Sequence, residues 1–351
     1  MFGGVTKRFN LKLLALSLLF FAMVVGELAY AGAVLKPPSP MWSGYLQQPR
    51  GTVDVLLFGN SHVFDGIDPM VFWQRRGITG YIMAGPVQQP KVTQEYVRET
   101  LRTQHPKVVI LEMSSLSYDQ TNYVTSFQQT NVGYMPWGLN RLRAALFDTP
   151  PADRVSVLVD LWPYHSRWSK LSLKDLDLSR RVKPSDATMR GWTPLMKARE
   201  VTQTQPATAA PSPAKIAAVD ANLPYLRSIA QTCRDNHAAL LLVVTPTSPP
   251  GLYSWQLSSA RAALAKEYPE VKYLDLSTAG AVPGLSWSKD FYDPGHLTYT
   301  GSAKASAVIA DFMAQNYSLR SHQGDPVFAF WSRDSALHYS ILRKKLAAAS
   351  N

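Results

Sequence analysis

The 351-residue chain has a single cysteine, Cys233, so no internal disulfide braces it and its stability must come from a packed core. Cys233 lies in SIAQTCRDNHAALLLVV, which reads as a helix passing under a strand. No base stands beside it, so it reads as a small buried hydrophobe and not as a reactive thiol. The seven histidines show no metal-ligand spacing such as His-Glu-x-x-His, and Cys233 has no spaced partners for zinc; neither a metal nor a cofactor is expected. Internal repeats are absent. So is any nucleic-acid recognition motif, and the lysines and arginines are scattered. The formal net charge of +11 therefore points to anionic lipid or an anionic wall polymer in preference to nucleic acid.

What is present begins with a hydrophobic content of 46%, enough for a substantial core. Lys7, Arg8 and Lys12 precede an apolar run from Leu13 to Leu35. A bilayer core needs about 20 mostly apolar residues, which this run supplies if Glu27 sits near the outer interface. Residues 1–36 then read as a membrane anchor with a cytoplasmic N-terminus and an extracytoplasmic body. The alternative is a cleaved signal peptide, because the stretch AYA at Ala29 to Ala31 fits small-x-small cleavage chemistry. Residues 37–51, KPPSPMWSGYLQQPRG with its preceding lysine, read as a proline-bearing linker that lifts the body off the bilayer.

From residue 52 to about 320, short apolar runs recur as VDVLLFG (53–59), ITGYIMAG (78–85), KVVILEM (107–113), ALLLVVTP (239–246) and VKYLDLS (271–277). Helical patterns lie between several of them, at 88–104, 214–236 and 258–269. This alternation predicts an α/β domain with a parallel sheet of about five strands and functional residues at the strands' C-terminal ends. Residues 114–213 break the rhythm and read as a large insertion after the third strand, ending in the flexible VTQTQPATAAPSPA. The tail, 321–351, contains SRDSALHYSILRKKLAAAS, a basic amphipathic pattern for a helix that is either solvated or lies on a membrane surface.

The first strand runs straight into Gly59-Asn60-Ser61-His62. A glycine there permits a sharp turn that leaves Ser61 exposed on a rigid elbow. A serine hydroxyl is a poor nucleophile unless a histidine takes its proton and a carboxylate holds that histidine in the right tautomer. Asp293 and His296, in DPGHLTYTG, supply both on one loop.

FGNSH and DPGHLTYTG resemble the first and last signature blocks of the SGNH/GDSL hydrolases, a family of esterases and acyltransferases. The resemblance implies a flavodoxin-like three-layer α/β/α SGNH hydrolase fold carrying the large insertion and the N-terminal transmembrane helix. It implies Ser61 as nucleophile, His296 as base and Asp293 as its orienter. Gly85, in IMAGPVQQP, matches the glycine whose N–H joins that of Ser61 in an oxyanion hole. Family members carry Gly-x-Asn-Asp after the third strand; here the stretch reads VVILEMSSLSYD, and Asn60, Ser114 or Ser115 stand as possible replacements for the missing donor.

A closer resemblance, through LLFGNSHVFDGIDP, VVILEMS and PYHSRWSKLSLKDL, is to a membrane-anchored exported branch similar to the D-alanyl transfer protein of teichoic-acid systems and to alginate O-acetylation proteins. It implies a cell-surface polysaccharide or wall polymer as partner, a membrane-bound O-acyltransferase as a second, and His165, Arg167 and Trp168 as a signature segment. Arg167 suits an anionic or hydroxyl-rich substrate and Trp168 a sugar ring. His62 is a further possible substrate contact. The expected function is serine acyl transfer or ester hydrolysis on surface polymers, the alternative a scaffold that keeps the fold without the chemistry.

Overall fold

The computed structural model describes residues 11–178, 187–199, 201 and 210–350. Five strands form its central sheet: β1 (Val55–Gly59), β2 (Gly80–Ala84), β3 (Val108–Glu112), β4 (Ala239–Val244) and β5 (Lys272–Asp275). A hairpin, β6 (Phe291–Asp293) and β7 (His296–Leu297), stands apart. The helices in chain order are α1 (Leu11–Leu35), α2 (Pro40–Leu46), α3 (Ser61–Phe64), α4 (Pro69–Arg76), α5 (Pro90–Thr100), α6 (Thr125–Gly133), α7 (Leu139–Phe147), α8 (Arg154–Leu158) and α9 (Leu161–Tyr164), then α10 (Pro213–Asp235), α11 (Ser254–Leu264), α12 (Tyr299–Asn316) and α13 (Ala329–Ser350).

The sheet is parallel throughout, in the order β2-β1-β3-β4-β5. Every residue of β1, β2 and β3 is buried, as the unbroken apolar runs require of strands covered on both faces. Side chains alternate across the sheet. Leu56, Phe58, Val109 and Leu242 meet α5, α10 and α11 on one face, while Leu57, Ile110 and Val243 meet α4 and α12 on the other. The order reverses direction between β1 and β3, which opens a crevice beyond the C-terminal end of β1. That is where Ser61 lies.

Two segments differ from their sequence reading. The stretch read as a spacer, 37–51, contains α2, which Pro40 starts because a helix's first turn has no use for the N–H that proline lacks. Trp42 and Tyr45 are buried, Trp42 Nε1 donating to Tyr96 Oη at 3.2 Å and Tyr45 Oη to the Thr100 carbonyl at 2.7 Å, so this segment docks the chain onto α5 and does not hold it away. The tail is equally integral. Trp331, Ser335, His338 and Leu342 of α13 form a buried stripe; Trp331 packs with Met70 and Trp73 of α4, and His338 Nε2 lies 3.1 Å from Asp68 Oδ2. Burial at this spacing, carried partly by a serine and a histidine, is why the stripe reads from sequence as a solvated or membrane-surface face.

α1 is exposed from Leu11 to Tyr30, whereas Gly32, Val34 and Leu35 in its last turn are buried against the insertion. A Cβ on Gly32 would come within 2.8 Å of the Leu161 nitrogen, so only glycine allows this approach. Lys36 Nζ pairs with Asp160 Oδ1 at 3.0 Å, and Arg167 donates to the Leu35 carbonyl. Lys7 and Arg8, the positive flank of α1, lie outside the described residues, as do 181–186 of the insertion and most of its Thr/Ala/Pro-rich end.

Candidate active site

The turn after β1 is built by its glycine and asparagine. Gly59 has φ +150°, and a Cβ there would stand 2.7 Å from Val63 Cγ2 and 3.1 Å from Glu112 Cβ. Asn60 then caps α3, its Oδ1 accepting from the His62 N–H at 2.9 Å. Ser61 follows as the first residue of that short helix.

The partners of Ser61 arrive on the hairpin. β6 and β7 pair Asp293 with His296, and the carboxylate Oδ1 accepts from the Gly295 N–H at 2.8 Å and the His296 N–H at 3.0 Å. His296 Nδ1 lies 2.8 and 2.9 Å from the two Asp293 oxygens, and Nε2 lies 2.8 Å from Ser61 Oγ. Partial burial pulls the Asp293 carboxyl upward, but the Gly295 amide together with the ring and amide of His296 outweighs it and holds the group below its usual value. An ionised Asp293 fixes the proton on Nδ1 and leaves Nε2 to accept from Ser61. The arrangement can therefore activate a hydroxyl by general-base chemistry.

A buried network behind Ser61 was not evident from the sequence. Asn60 Nδ2 donates to Ser114 Oγ and to Tyr118 Oη, each at 2.9 Å, and Ser114 Oγ donates to Glu112 Oε2 at 2.5 Å. Burial pushes the Glu112 carboxyl up to about 7, against hydrogen bonds from Ser114, Thr245 and Met113. The legible signal was a glutamate closing the apolar run VVILE. This network holds the side chains of Asn60 and Ser114, read from sequence as replacements for the missing oxyanion donor, behind Ser61. The Asn60 side chain is fully buried and committed to Ser114, Tyr118 and His62, and the Ser114 hydroxyl is spent on Glu112. Ser115 is buried as well. Because Glu112 binds its proton more tightly folded than unfolded, it weakens the fold as pH rises from about 4.5 through about 7. Glu112→Gln removes this penalty, so the melting temperature of the variant relative to wild type should rise between pH 5 and pH 8. A difference independent of pH would refute it.

His62, read as a possible substrate contact, lies beside the His296 ring. It is 5% exposed, and its ring stacks on that of His296 with centroids 5.2 Å apart. Tyr253 meets its face edge-on at 5.3 Å. Burial, then the neighbouring charge of His296, lowers its pKa to about 3 despite the opposing pull of Asp293, so it stays neutral at physiological pH. It acts as a wall for the His296 ring. His62→Phe keeps a flat ring and should leave the pH profile of any Ser61-dependent turnover unchanged in shape, whereas His62→Ala should cost about tenfold through a loosened base. A limb of the profile lost in the phenylalanine variant would show that His62 titrates in the reaction.

Gly85 follows β2 at the level where Asn60 follows β1, because the register pairs Ala84 with Gly59. A Cβ on Gly85 would lie 1.9 Å from Asn131 Oδ1, so a side chain there would have to displace the Asn131 amide. Beside it opens a cavity of about 360 Å³ lined by Phe64, Asn131, Trp192 and Thr193 among others. The structure thus brings Ser61, Asp293, His296 and Gly85 to one rim of the sheet. It does not bring His165, Arg167 and Trp168 there: Arg167 is held by the Leu35 carbonyl and His165 Nδ1 by the Trp162 carbonyl at 2.8 Å, both at the foot of α1, and Trp168 is 73% exposed. Cys233 is buried, its thiol pushed up to about 12 by burial, as an inert core residue should be. Among the described residues no three histidine, cysteine or carboxylate side chains gather as a metal-ligand set. No protein-family model matches the sequence, and no curated protein matches it.

Proposed function

We propose that this chain is an exported, membrane-tethered serine acyltransferase or esterase of SGNH type. Its substrates are acyl esters, acetyl above all, of a cell-surface or extracellular polysaccharide. One observation carries the reading: Ser61 Oγ, His296 Nε2 and Nδ1, and the Asp293 carboxylate form an unbroken line of hydrogen bonds at the C-terminal rim of a parallel sheet.

In the proposed reaction His296 Nε2 accepts the Ser61 proton as Oγ attacks the donor carbonyl. The N–H groups of Ser61 and Gly85 receive the developing oxyanion. Collapse expels the donor's leaving group, which takes the proton from His296 and leaves an acyl-Ser61 ester. A glycan hydroxyl then gives its proton to His296 and attacks that ester, and Ser61 departs reprotonated. Water in place of the glycan makes the outcome hydrolysis.

The tether is supported by α1, which is long and apolar enough to cross a membrane. Retention is supported by Tyr30, which cleavage after Ala31 would remove and whose hydroxyl donates to the Leu176 carbonyl at 3.3 Å. A site held beside the bilayer suits a membrane-bound O-acyltransferase as the source of acyl groups. A scaffold reading has one observation in its favour: the side-chain amide of Asn60 is committed elsewhere, leaving backbone donors for the oxyanion. A fluorophosphonate probe separates the two. Labelling of wild type that disappears in Ser61→Ala is the expected result; an unlabelled wild type together with full polymer acylation by Ser61→Ala would establish the scaffold.

A further inference from the structure

The insertion after β3 carries an exposed apolar surface that the proposed chemistry does not use. Trp162 is 66% exposed, Trp168 73%, Leu173 87% and Leu176 50%. All four belong to α9 or to the 3₁₀ turns His165–Lys170 and Leu173–Leu176, and these are the elements that pack against α1. Lys170 and Lys174 are exposed among them, while the partly exposed Asp175 accepts from the Ser172 hydroxyl at 2.9 Å and faces the Arg167 guanidinium at 3.9 Å.

The height of this surface along α1 is fixed by contacts. The stretch from Leu11 to Tyr30 is exposed over its whole length and at about 1.5 Å per residue measures about 30 Å, the thickness of a bilayer's hydrocarbon core. Tyr30 donates to Leu176 where that stretch ends, and Arg167 grips Leu35 one turn later. The two tryptophans and two leucines therefore sit at the level where hydrocarbon gives way to headgroups. Tryptophan is enriched at that level, because its ring is apolar and its N–H seeks water. Lysines beside it favour anionic headgroups.

We infer that this face of the insertion is a membrane-resting platform. It buries Trp162, Trp168, Leu173 and Leu176 in the outer interface of the bilayer that α1 crosses, and it sets Lys170 and Lys174 against lipid phosphates. The inference rests on the anchored reading of α1 but goes beyond it: a tether alone leaves the body free to stand in water. The occupant is lipid because the surface is continuous with the foot of the spanning helix and shares its depth.

Spin labels on the full-length protein in nanodiscs of phosphatidylcholine and phosphatidylglycerol test this. Native Cys233 is buried and takes up no label, so Phe20→Cys, Trp168→Cys, Leu173→Cys and Val327→Cys each report one place. Val327 is an exposed apolar residue outside the insertion, 66% exposed. Labels at 20, 168 and 173 should collide more with oxygen than with an aqueous nickel chelate, with 168 and 173 lying about 5–10 Å into the interface, and the label at 327 should show the reverse. If 20 is lipid-protected while 168 and 173 behave like 327, the platform is refuted and the anchor stands. If 168 and 173 become protected only in native membranes, a protein partner covers the surface and the lipid proposal fails. An aqueous label at 20 removes the anchor and the platform together.

Discussion

Ser61→Ala and His296→Ala are each expected to lower acyl transfer by at least about 10⁴-fold, and the double variant should be no worse than either single one. The reason is geometric. Ser61 Oγ has one imidazole nitrogen at 2.8 Å, so removing the hydroxyl or the ring disables the same proton transfer. Asp293→Asn should cost about as much as the tautomer it misplaces, on the order of 10⁴-fold, because an amide in that position can donate to Nδ1 and drive the ring proton to Nε2, where Ser61 needs an acceptor. All three side chains lie at a partly exposed rim, so the variants should melt within a few degrees of wild type. Surface-polymer acylation in complemented cells, with protein levels followed by blotting, is the measurement. Normal acylation by a folded Ser61→Ala would remove the serine from the reaction.

Gly59→Ala should be the most damaging small substitution in the elbow. It places a Cβ 2.7 Å from Val63 and 3.1 Å from Glu112 on a backbone at φ +150°, where side chains are rarely tolerated. Strain of about 1–3 kcal/mol from the backbone and a similar sum from overpacking would consume a large part of a typical domain's stability of about 5–15 kcal/mol. Pairing the change with Val63→Ala relieves the nearer clash and should recover part of the loss in a denaturant titration, while the backbone component remains. A Gly59→Ala protein as stable and as reactive toward a fluorophosphonate as wild type would mean that the turn is not constrained as described.

The parts of this molecule legible in its sequence are those whose partners are the sheet itself. β1, β2 and β3 announce themselves as apolar runs buried on both faces, and Ser61, Gly85, Asp293 and His296 each end or follow such a run or sit in one tight loop. Legibility fails where a residue's partner is remote and unforeseeable. Trp42 and Tyr45 look like linker residues until Tyr96 and Thr100 accept them. His338 looks solvated until Asp68 and the Trp192 ring, 5.2 Å away, enclose it. Arg167 resembles a substrate ligand because a guanidinium suits anions, yet its acceptor is a backbone carbonyl 132 positions earlier, at the end of α1. Asn60 and Glu112 were separately visible, but the line from one to the other through Ser114 depends on β1 and β3 being neighbours, which only the strand order supplies.

The hairpin of β6 and β7 puts His296 and Asp293, the proposed base and orienter, three positions apart, whereas Ser61 lies 235 positions upstream of His296. Synthesis therefore delivers the parts in a fixed sequence. At about 5–20 residues per second, roughly 10–50 s pass between the appearance of the hydroxyl and that of the imidazole. Throughout that interval the nascent chain carries an inert alcohol. In the proposed mechanism reactivity switches on only when the last segment of the sheet domain docks, so a chain stalled or truncated before residue 296 should be chemically silent, and the first turnover would itself report that the end of the domain has arrived.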